Sequence, residues 1–399
     1  MSKIFVQIAS YRDPELVPTI RDLITKAKYP NNLTFGICWQ RDDTESLEEF
    51  QNDPRFNVID IPWNKSKGLC WARSLIQKLW KGEEYTLQLD SHHRFAQDWD
   101  EQLIEMLKLT DSKKPILTSY AGMYDPVGNR ILNQEPYKMV ADRFTDHGTI
   151  MFYPHAIANY KDLTKPIPAR FVSGHFFFTI GKHCEEYKYD PNIYFAGDEI
   201  SLSIRSYTLG YDLFHPHKLV VWHEYTRKNR VKHWDDFNES NVKSNKVDKQ
   251  WWEMDRDSKR RLRHMLREED NNIDLGEYDL GNVRSHRDYE LYAGIDFARR
   301  RLHQKTLAGE NPPINDDTDW YKLEEKSYKY TLSIPPTQDF RFIYVGVEDD
   351  QGKVIYRNDL ITYVDTLNVE IKSYTKPKKW VYWPVDTNGN WGTRQDFNL

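Results

Sequence analysis

Between residues 4 and 90 the sequence alternates apolar, β-branched runs with amphipathic stretches, and that alternation leaves few folds open. KIFVQIAS reads as a first buried strand; after the Arg12-Asp13-Pro14 turn, Leu16, Val17, Ile20, Leu23, Ile24 and Ala27 recur at helical spacing. NLTFGICWQ and FNVIDIPW read as second and third strands. Leu69, Ala72, Leu75, Ile76 and Leu79 mark a helix begun after Gly68, and YTLQLD follows as a fourth strand. Strands joined through helices in this way specify a Rossmann-like α/β fold with a mostly parallel, doubly wound sheet flanked by helices.

The pattern continues with a helix in DWDEQLIEMLKL and a strand in PILTSYAG. From about 120 to 170, Pro, Gly and Asn punctuation predicts loops and a hairpin over one edge. FVSGHFFFTIG is a strongly apolar strand, ISLSIRSYTLG a helix ending at Gly210, and KLVVWHEY a last buried strand. Residues 230–305 are charged and mainly helical in pattern, with Lys and Arg around 256–267 on a solvated face. After Pro312-Pro313 the composition changes: KYTLSI, FRFIYVGVED, KVIYRN and LNVEIKSY are strand-like runs between turns. The expected organisation is one domain over 1–305, a boundary near 306–318, and a small antiparallel β module over 318–399.

A chain of 399 residues is long enough for such a two-part organisation. Its net charge of −5 argues against nucleic acid as a partner. Three cysteines, Cys38, Cys70 and Cys184, form no metal-type pair and suit free thiols in a reducing compartment. The apolar run in MSKIFVQIASYRDP is too short for a signal peptide or a membrane span, so a cytoplasmic location without a membrane span is expected.

The fourth strand ends in a crowd of ionisable groups, TLQLDSHHRF. Ligands of open α/β sheets sit beyond the carboxyl ends of the strands, which places Asp90 at a crevice. In extended backbone Asp90 and His92 project to the same side, giving a carboxylate oxygen and an imidazole nitrogen for a divalent cation such as Mn²⁺. On these two residues alone, a helix-capping Asp followed by a surface His is the alternative. His223, at the end of VVWHEY, is placed for a third ligand. Gly174 and His175 interrupt an apolar strand where a glycine permits close backbone approach to a ligand. Asp198 and Glu199 precede a helix, where they are also suited to cap it. His93 falls on the opposite side from Asp90 and is assigned a supporting role, and His215 and His217 in FHPHKL are read as loop histidines.

Taken in order, Asp90-Ser91-His92, Ser173-Gly174-His175, Gly197-Asp198-Glu199 and Trp222-His223 resemble the motifs of GT-A nucleotide-sugar transferases, the retaining polypeptide N-acetylgalactosaminyltransferases above all. The blocks IASYRDPEL, GLCWARSL, QLDSHHRF, FAGDEISLSIR and LGNVRSHRDYELYAGIDF are similar to those of the cytoplasmic GlcNAc-transferases that glycosylate hydroxyproline on a ubiquitin-ligase adaptor in protists. The likeness covers roughly residues 1–300 and leaves the tail unaccounted for.

The resemblance implies a metal-dependent retaining transferase that moves a sugar, GlcNAc in the nearer family, from a UDP-sugar to a hydroxyl, on a protein in that family. It implies Mn²⁺ or Mg²⁺ held by Asp90, His92 and His223. It implies nucleotide-sugar contacts from Ser10, Tyr11, Arg12, Asp13, Arg73, Asp90, Ser91, Gly174 and His175. Within that set Tyr11 stacks on uracil, and Asp13 either holds the uracil N3–H or caps the next helix. Arg73, a cation near the start of its helix, either binds the donor or forms a surface ion pair. Asp198 and Glu199 accept hydrogen bonds from sugar hydroxyls. Arg284 and His286 either close over the diphosphate as a basic lid or belong to an exposed charged loop. A glycan, a lipid-linked saccharide or a modified DNA base is the alternative acceptor. A non-catalytic carbohydrate-binding protein is the alternative class, and a hydrolase built on the same Asp-x-His lacks the second ligand cluster such sites need.

Overall fold

A computed structural model describes residues 2–145, 147–228, 230–314, 326–350, 352, 354–373 and 375–399. The chain divides into two compact units, Met1–Asp317 and Thr318–Leu399. The boundary expected near 306–318 runs into residues 315–325, which lie outside the described residues.

In the first unit the strands are β1 (Ile4–Tyr11), β2 (Leu33–Arg41), β3 (Phe56–Pro62), β4 (Tyr85–Asp90), β5 (His93–Phe95), β6 (Pro115–Thr118) and β7 (Gly122–Asp125). They continue with β8 (Arg130–Ile131), β9 (Tyr137–Phe144), β10 (Ile150–Ala156), β11 (Ile167–Pro168), β12 (Phe176–Ile180), β13 (Asp212–His215) and β14 (Val221–His223). An eight-stranded sheet runs in the order β11-β13-β6-β12-β4-β1-β2-β3. β4, β1, β2 and β3 are mutually parallel, as are β6 and β13, whereas β12 is antiparallel to both its neighbours. The result is a mixed α/β domain with a large, mostly parallel sheet.

The alternation along β1 shows why the sequence folds this way. Ile4, Val6 and Ile8 join one core with Leu16, Ile20 and Leu23 of α1 (Leu16–Lys26) and Trp99 and Leu103 of α3 (Trp99–Lys108). Phe5 and Ala9 face the other way, against Ala72 and Ile76 of α2 (Leu69–Gln77). A strand covered on both faces reads as an unbroken apolar run, and each fully buried Ile or Leu contributes about 1.5–3 kcal/mol. Gly36 in β2 serves the second face: a Cβ there would lie 2.5 Å from Phe5 Cζ.

Two elements differ from the sequence reading. KLVVWHEY supplies only the three residues of β14, and these join a separate four-stranded sheet, β5-β14-β7-β8. FHPHKL was expected as a loop, yet Asp212–His215 is a strand of the main sheet; His215 is buried, its Nδ1 2.7 Å from the Thr118 carbonyl, and burial pushes its pKa down to about 4. The hairpin expected between 120 and 170 is β9 with β10. The charged stretch after 230 is mainly helical, its longest helix Trp251–Met265 burying Ser258, Leu262 and Met265 on one face.

The second unit, taken by itself, is antiparallel. Lys326–Ser333 pairs with Thr366–Ser373, and a four-stranded sheet is built from Val354–Leu360, Phe340–Asp349, Pro377–Asp386 and Gln395–Asn398. Ile343, Val345 and Val347 alternate inward, against Val369, Ile371, Trp380 and Tyr382.

Candidate active site

The carboxyl ends of β4 and β1 open on the cleft where the predicted ligands gather. β4 stops at Asp90, and His92 lies in the link to β5. β5 pairs antiparallel with β14 so that His93 faces His223, which carries His223 back to the tip of β4. Asp90, His92 and His223 thereby offer ligand atoms that all lie within 4.8 Å of one another. Asp90 Oδ2 stands 3.8 Å from His92 Nε2 and 3.6 Å from His223 Nε2, too far for good hydrogen bonds. Both Nε2 atoms are buried and have no hydrogen-bond partner. Buried polar nitrogens are rarely left in that state, so two of them aimed at one carboxylate fit a cation as their missing partner. One carboxylate and two imidazoles suit a divalent ion of borderline hardness. Burial alone would raise the Asp90 pKa, but His223, Arg73 and His92 hold it well below the usual carboxylate range.

Asp13 has a duty at His92 beyond the two expected of it. Its Oδ2 lies 2.7 Å from His92 Nδ1 and accepts hydrogen bonds from Ser91 Oγ at 2.7 Å and Arg230 Nη1 at 2.9 Å. Its Oδ1 accepts the Glu15 N–H at 2.9 Å, at the entry to α1. With the Nδ1 proton of His92 directed at Asp13, the Nε2 lone pair faces Asp90, the carboxylate–histidine arrangement that orients metal-binding imidazoles. Burial opposes ionisation of Asp13, yet His92, Arg230 and Ser91 keep its pKa well below normal. Asp13→Asn is expected to weaken Mn²⁺ affinity by about 10–100-fold while leaving the ligands in place. Calorimetric titration checks this, and unchanged affinity would remove the orienting role.

Arg73 is a buried hub, 2% exposed. Its Nη2 donates to Asp90 Oδ1 at 3.0 Å and to the Gly174 carbonyl at 2.6 Å, and its Nη1 pairs with Asp198. Neither the surface pair nor the direct donor contact proposed from sequence describes this; Arg73 fixes the carboxylate at the tip of β4. Asp198 is likewise not free for sugar hydroxyls, because it is buried against Arg73 and accepts from Cys70 Sγ at 3.3 Å. At Gly174 the close approach is to side chains: a Cβ would lie 2.7 Å from Asp198 Oδ2 and 3.3 Å from Arg73 Nη1. Glu199, in the first turn of the helix Asp198–Thr208, accepts the Gly174 N–H at 3.1 Å and the Tyr120 O–H at 3.0 Å. Burial pushes its carboxyl from 4.5 up to about 7.

His175 accepts the Ala121 N–H on Nε2 at 3.1 Å, while its Nδ1 lies 3.0 Å from Ser173 Oγ. Burial holds its pKa down to about 3, so it stands as a neutral ring 4.5 Å from that of His223, a wall for that side chain. His93 backs the same side chain, its ring 4.9 Å from that of His223 and its Nδ1 bonded to the Asp90 carbonyl.

At the end of β1, Ser10 is fully buried. Tyr11 donates to Asp236 Oδ2 at 2.8 Å, and Arg12 pairs with Asp42 and Asp236, each at 2.7 Å. The Tyr11 face expected for uracil has the His233 ring 4.9 Å away in this structure. His233 in turn meets Tyr194 Oη at 2.7 Å and Ser66 Oγ at 3.0 Å. Together with Asp90, His92 and Tyr11, the segment containing Arg227, Arg230 and Lys232 lines a cleft of about 130 Å³. The sequence reading missed this segment; four cations in TRKNRVKH, shortly after a candidate ligand, were its only signal.

Arg284 and His286 are not brought to the cleft. Arg284 donates to the Tyr211 carbonyl at 2.8 Å and to Asp212 Oδ1. Asp212 pairs with Pro115 at the amino ends of β13 and β6, the opposite edge of the sheet from Asp90. His286 Nε2 bonds the Leu266 carbonyl at 2.8 Å. Neither serves as a lid over a diphosphate in this fold.

The model of a family described as Glycosyltransferase (GlcNAc) matches residues 3–53 and 48–299. No curated protein matches the chain. Among solved structures the chain is similar to GalNAc-T7 crystallised with UDP, GalNAc and Mn²⁺, at 16% identity and a TM-score of 0.48 over 72% of this chain. It is also similar to S. aureus TarS 1–349 in complex with UDP-GlcNAc, at 14% identity and a TM-score of 0.38 over 58% of this chain. It spans only 54% of the first of those chains and 60% of the second.

Proposed function

The chain belongs to the Glycosyltransferase (GlcNAc) family, and from that premise we propose that it transfers GlcNAc from UDP-GlcNAc to a hydroxyl on a protein, with retention at the anomeric carbon and with a divalent cation. The observation that carries this reading is the convergence of Asp90, His92 and His223, with two unpartnered imidazole nitrogens, at the carboxyl ends of a parallel sheet.

Those three residues would hold Mn²⁺ or Mg²⁺, whose positive charge offsets the charge that grows on a departing diphosphate. The chain's own groups do the rest. Arg73 keeps Asp90 ionised and in place, and Asp13 keeps His92 in the tautomer that presents Nε2. Arg227, Arg230 and Lys232 supply cationic charge along the cleft for the diphosphate, and Tyr11 borders the nucleoside, with Ser10 buried behind it and Arg12 beside it. Glu199, beside Gly174, contributes the polar edge for the sugar.

No carboxylate here is set up as a covalent nucleophile: Asp198 is committed to Arg73, and Glu199 to Gly174 and Tyr120. Front-face attack follows as the proposed course. The acceptor oxygen bonds to the anomeric carbon as the bond to the UDP phosphate oxygen breaks on the same face, and the acceptor proton passes to that phosphate. The cytoplasmic placement is supported by three buried, unpaired cysteines. Among the described residues no helix is long and apolar enough to cross a membrane.

Slow donor hydrolysis tests the proposal without knowledge of the acceptor. In a screen of UDP-sugars with Mn²⁺, UDP release is expected to be fastest from UDP-GlcNAc and to stop on chelation. No turnover of any UDP-sugar, together with no metal-dependent UDP binding, would overturn it.

Glu199 adds a pH signature. Its carboxyl retains a proton in the folded state up to about pH 7, against 4.5 ordinarily, so the folded state binds the extra proton in that window. Stability attributable to this group is therefore present below pH 4.5 and lost as pH rises through 7. Glu199→Gln, which cannot ionise, is expected to gain in melting temperature on the wild type at pH 8 relative to pH 5. An identical difference at both pH values would contradict the buried, proton-retaining state.

A further inference from the structure

Beside the donor cleft lies a second one that the proposed chemistry leaves unused. Tyr194 lines both, and Ser66, which bonds His233 of the first, also borders the second. The second cleft has about 570 Å³ of space between the segment 64–67 that precedes α2 and the helix Trp251–Met265. Lys65, Lys67, Lys249 and Arg260 border it, all four exposed and none paired with a carboxylate among the described residues. Lys67 has only the Trp71 ring, at 6.0 Å.

The other charges of the cleft are already balanced. Arg261 is bound to Asp190, and Asp257 to Arg256. Asp248 is the one unpaired carboxylate, against four cations, on a chain whose net charge is −5. Such a gathering of like charge repels itself and is relieved by an anionic partner. Apolar Met254, Ile273 and Pro191, with the amides of Asn64 and Asn192, line the same space. A mixture of cations, amides and apolar side chains suits a polypeptide carrying carboxylates among apolar residues better than a phosphate backbone, whose unbroken charge would leave Met254, Ile273 and Pro191 unmatched.

We infer that this cleft is the acceptor-docking site and that the acceptor presents an acidic polypeptide segment to it. The inference rests on the transferase reading for the word acceptor, though the binding it asserts does not. Docking there places the target hydroxyl across Tyr194 from the metal-ligand cluster. Surface charge pairs of this kind set association rate and partner choice and weaken with salt.

The full chain is tested with a fluorescein-labelled peptide of alternating Glu and Ser, followed by anisotropy. Salt-sensitive binding is expected, with none for a Lys/Ser peptide. The variant Lys65→Glu/Lys67→Glu/Lys249→Glu/Arg260→Glu is expected to lose at least about tenfold in affinity, and its neutral counterpart with Ser at the same four positions an intermediate amount. Neither variant touches the donor cleft, so UDP-GlcNAc hydrolysis is expected to be unchanged in both. Equal peptide binding by wild type and variants overturns the inference. So does tighter binding of a single-stranded oligonucleotide that depends on the same four cations. Absent donor hydrolysis in the wild type would instead sink the enzymatic reading, leaving the peptide result to stand or fall separately.

Discussion

Asp90→Asn is expected to reduce metal-dependent UDP binding and donor turnover by about 10²–10³-fold, more than the loss of an orienting group, while the protein stays folded. Asparagine keeps an oxygen for the Arg73 Nη2 hydrogen bond, now 3.0 Å from Asp90 Oδ1, so the buried arginine is not stranded. What disappears is the negative charge between His92 and His223. His223→Ala removes a different ligand of the same set and is expected to give a similar loss, its effect largely overlapping that of Asp90→Asn in the double variant because both act on one ion. Near-wild-type turnover in either single variant, or multiplicative losses in the pair, would separate the residues functionally.

Arg73→Met is expected to cost about 3–5 kcal/mol of stability, the penalty of leaving a buried ion without its partner. Asp198 is 4% exposed, and burial already raises its pKa despite the guanidinium beside it. Without Arg73 that carboxyl must take up a proton or destabilise the helix it begins. Asp198→Asn added to Arg73→Met is expected to restore part of the stability and none of the activity, since Asp90 still lacks its support. Urea unfolding measures both. A loss below 1 kcal/mol in the single variant would show that the pair is solvated and structurally minor.

The parallel strands β4, β1 and β2 were legible because burial on both faces leaves unbroken runs such as IFVQIASY, and the edge strand β3 shows instead an alternating, half-buried run. Asp212–His215 was not, because four residues running into Pro216 carry no period and gain their strand character by pairing with β6 and β11. The tip of β4 announced Asp90 and His92, and the end of an apolar run announced His223. Asp13 was seen only as a nucleotide contact or a cap. Its bond to His92 spans 79 positions, and no local pattern encodes such a contact. The same holds for Asp198, whose place before a helix suggested solvent-facing chemistry until α2 brought Arg73 against it. Arg284 and His286 show the converse error, since basic residues in a loop say nothing about which edge of the sheet the loop reaches. In the second unit, Pro377–Asp386 is a further strand that was not among the runs read from the sequence, and its Trp380 and Tyr382 are buried in the core.

The central claim is that one cation is shared by three residues distant in sequence, and anomalous diffraction answers it most directly. Crystals grown with Mn²⁺ and UDP, measured at the manganese edge, are expected to show a single peak about 2.2 Å from Asp90 Oδ2, His92 Nε2 and His223 Nε2, with diphosphate oxygens completing the sphere. A manganese peak elsewhere, or UDP bound with no peak among those three atoms, would contradict it.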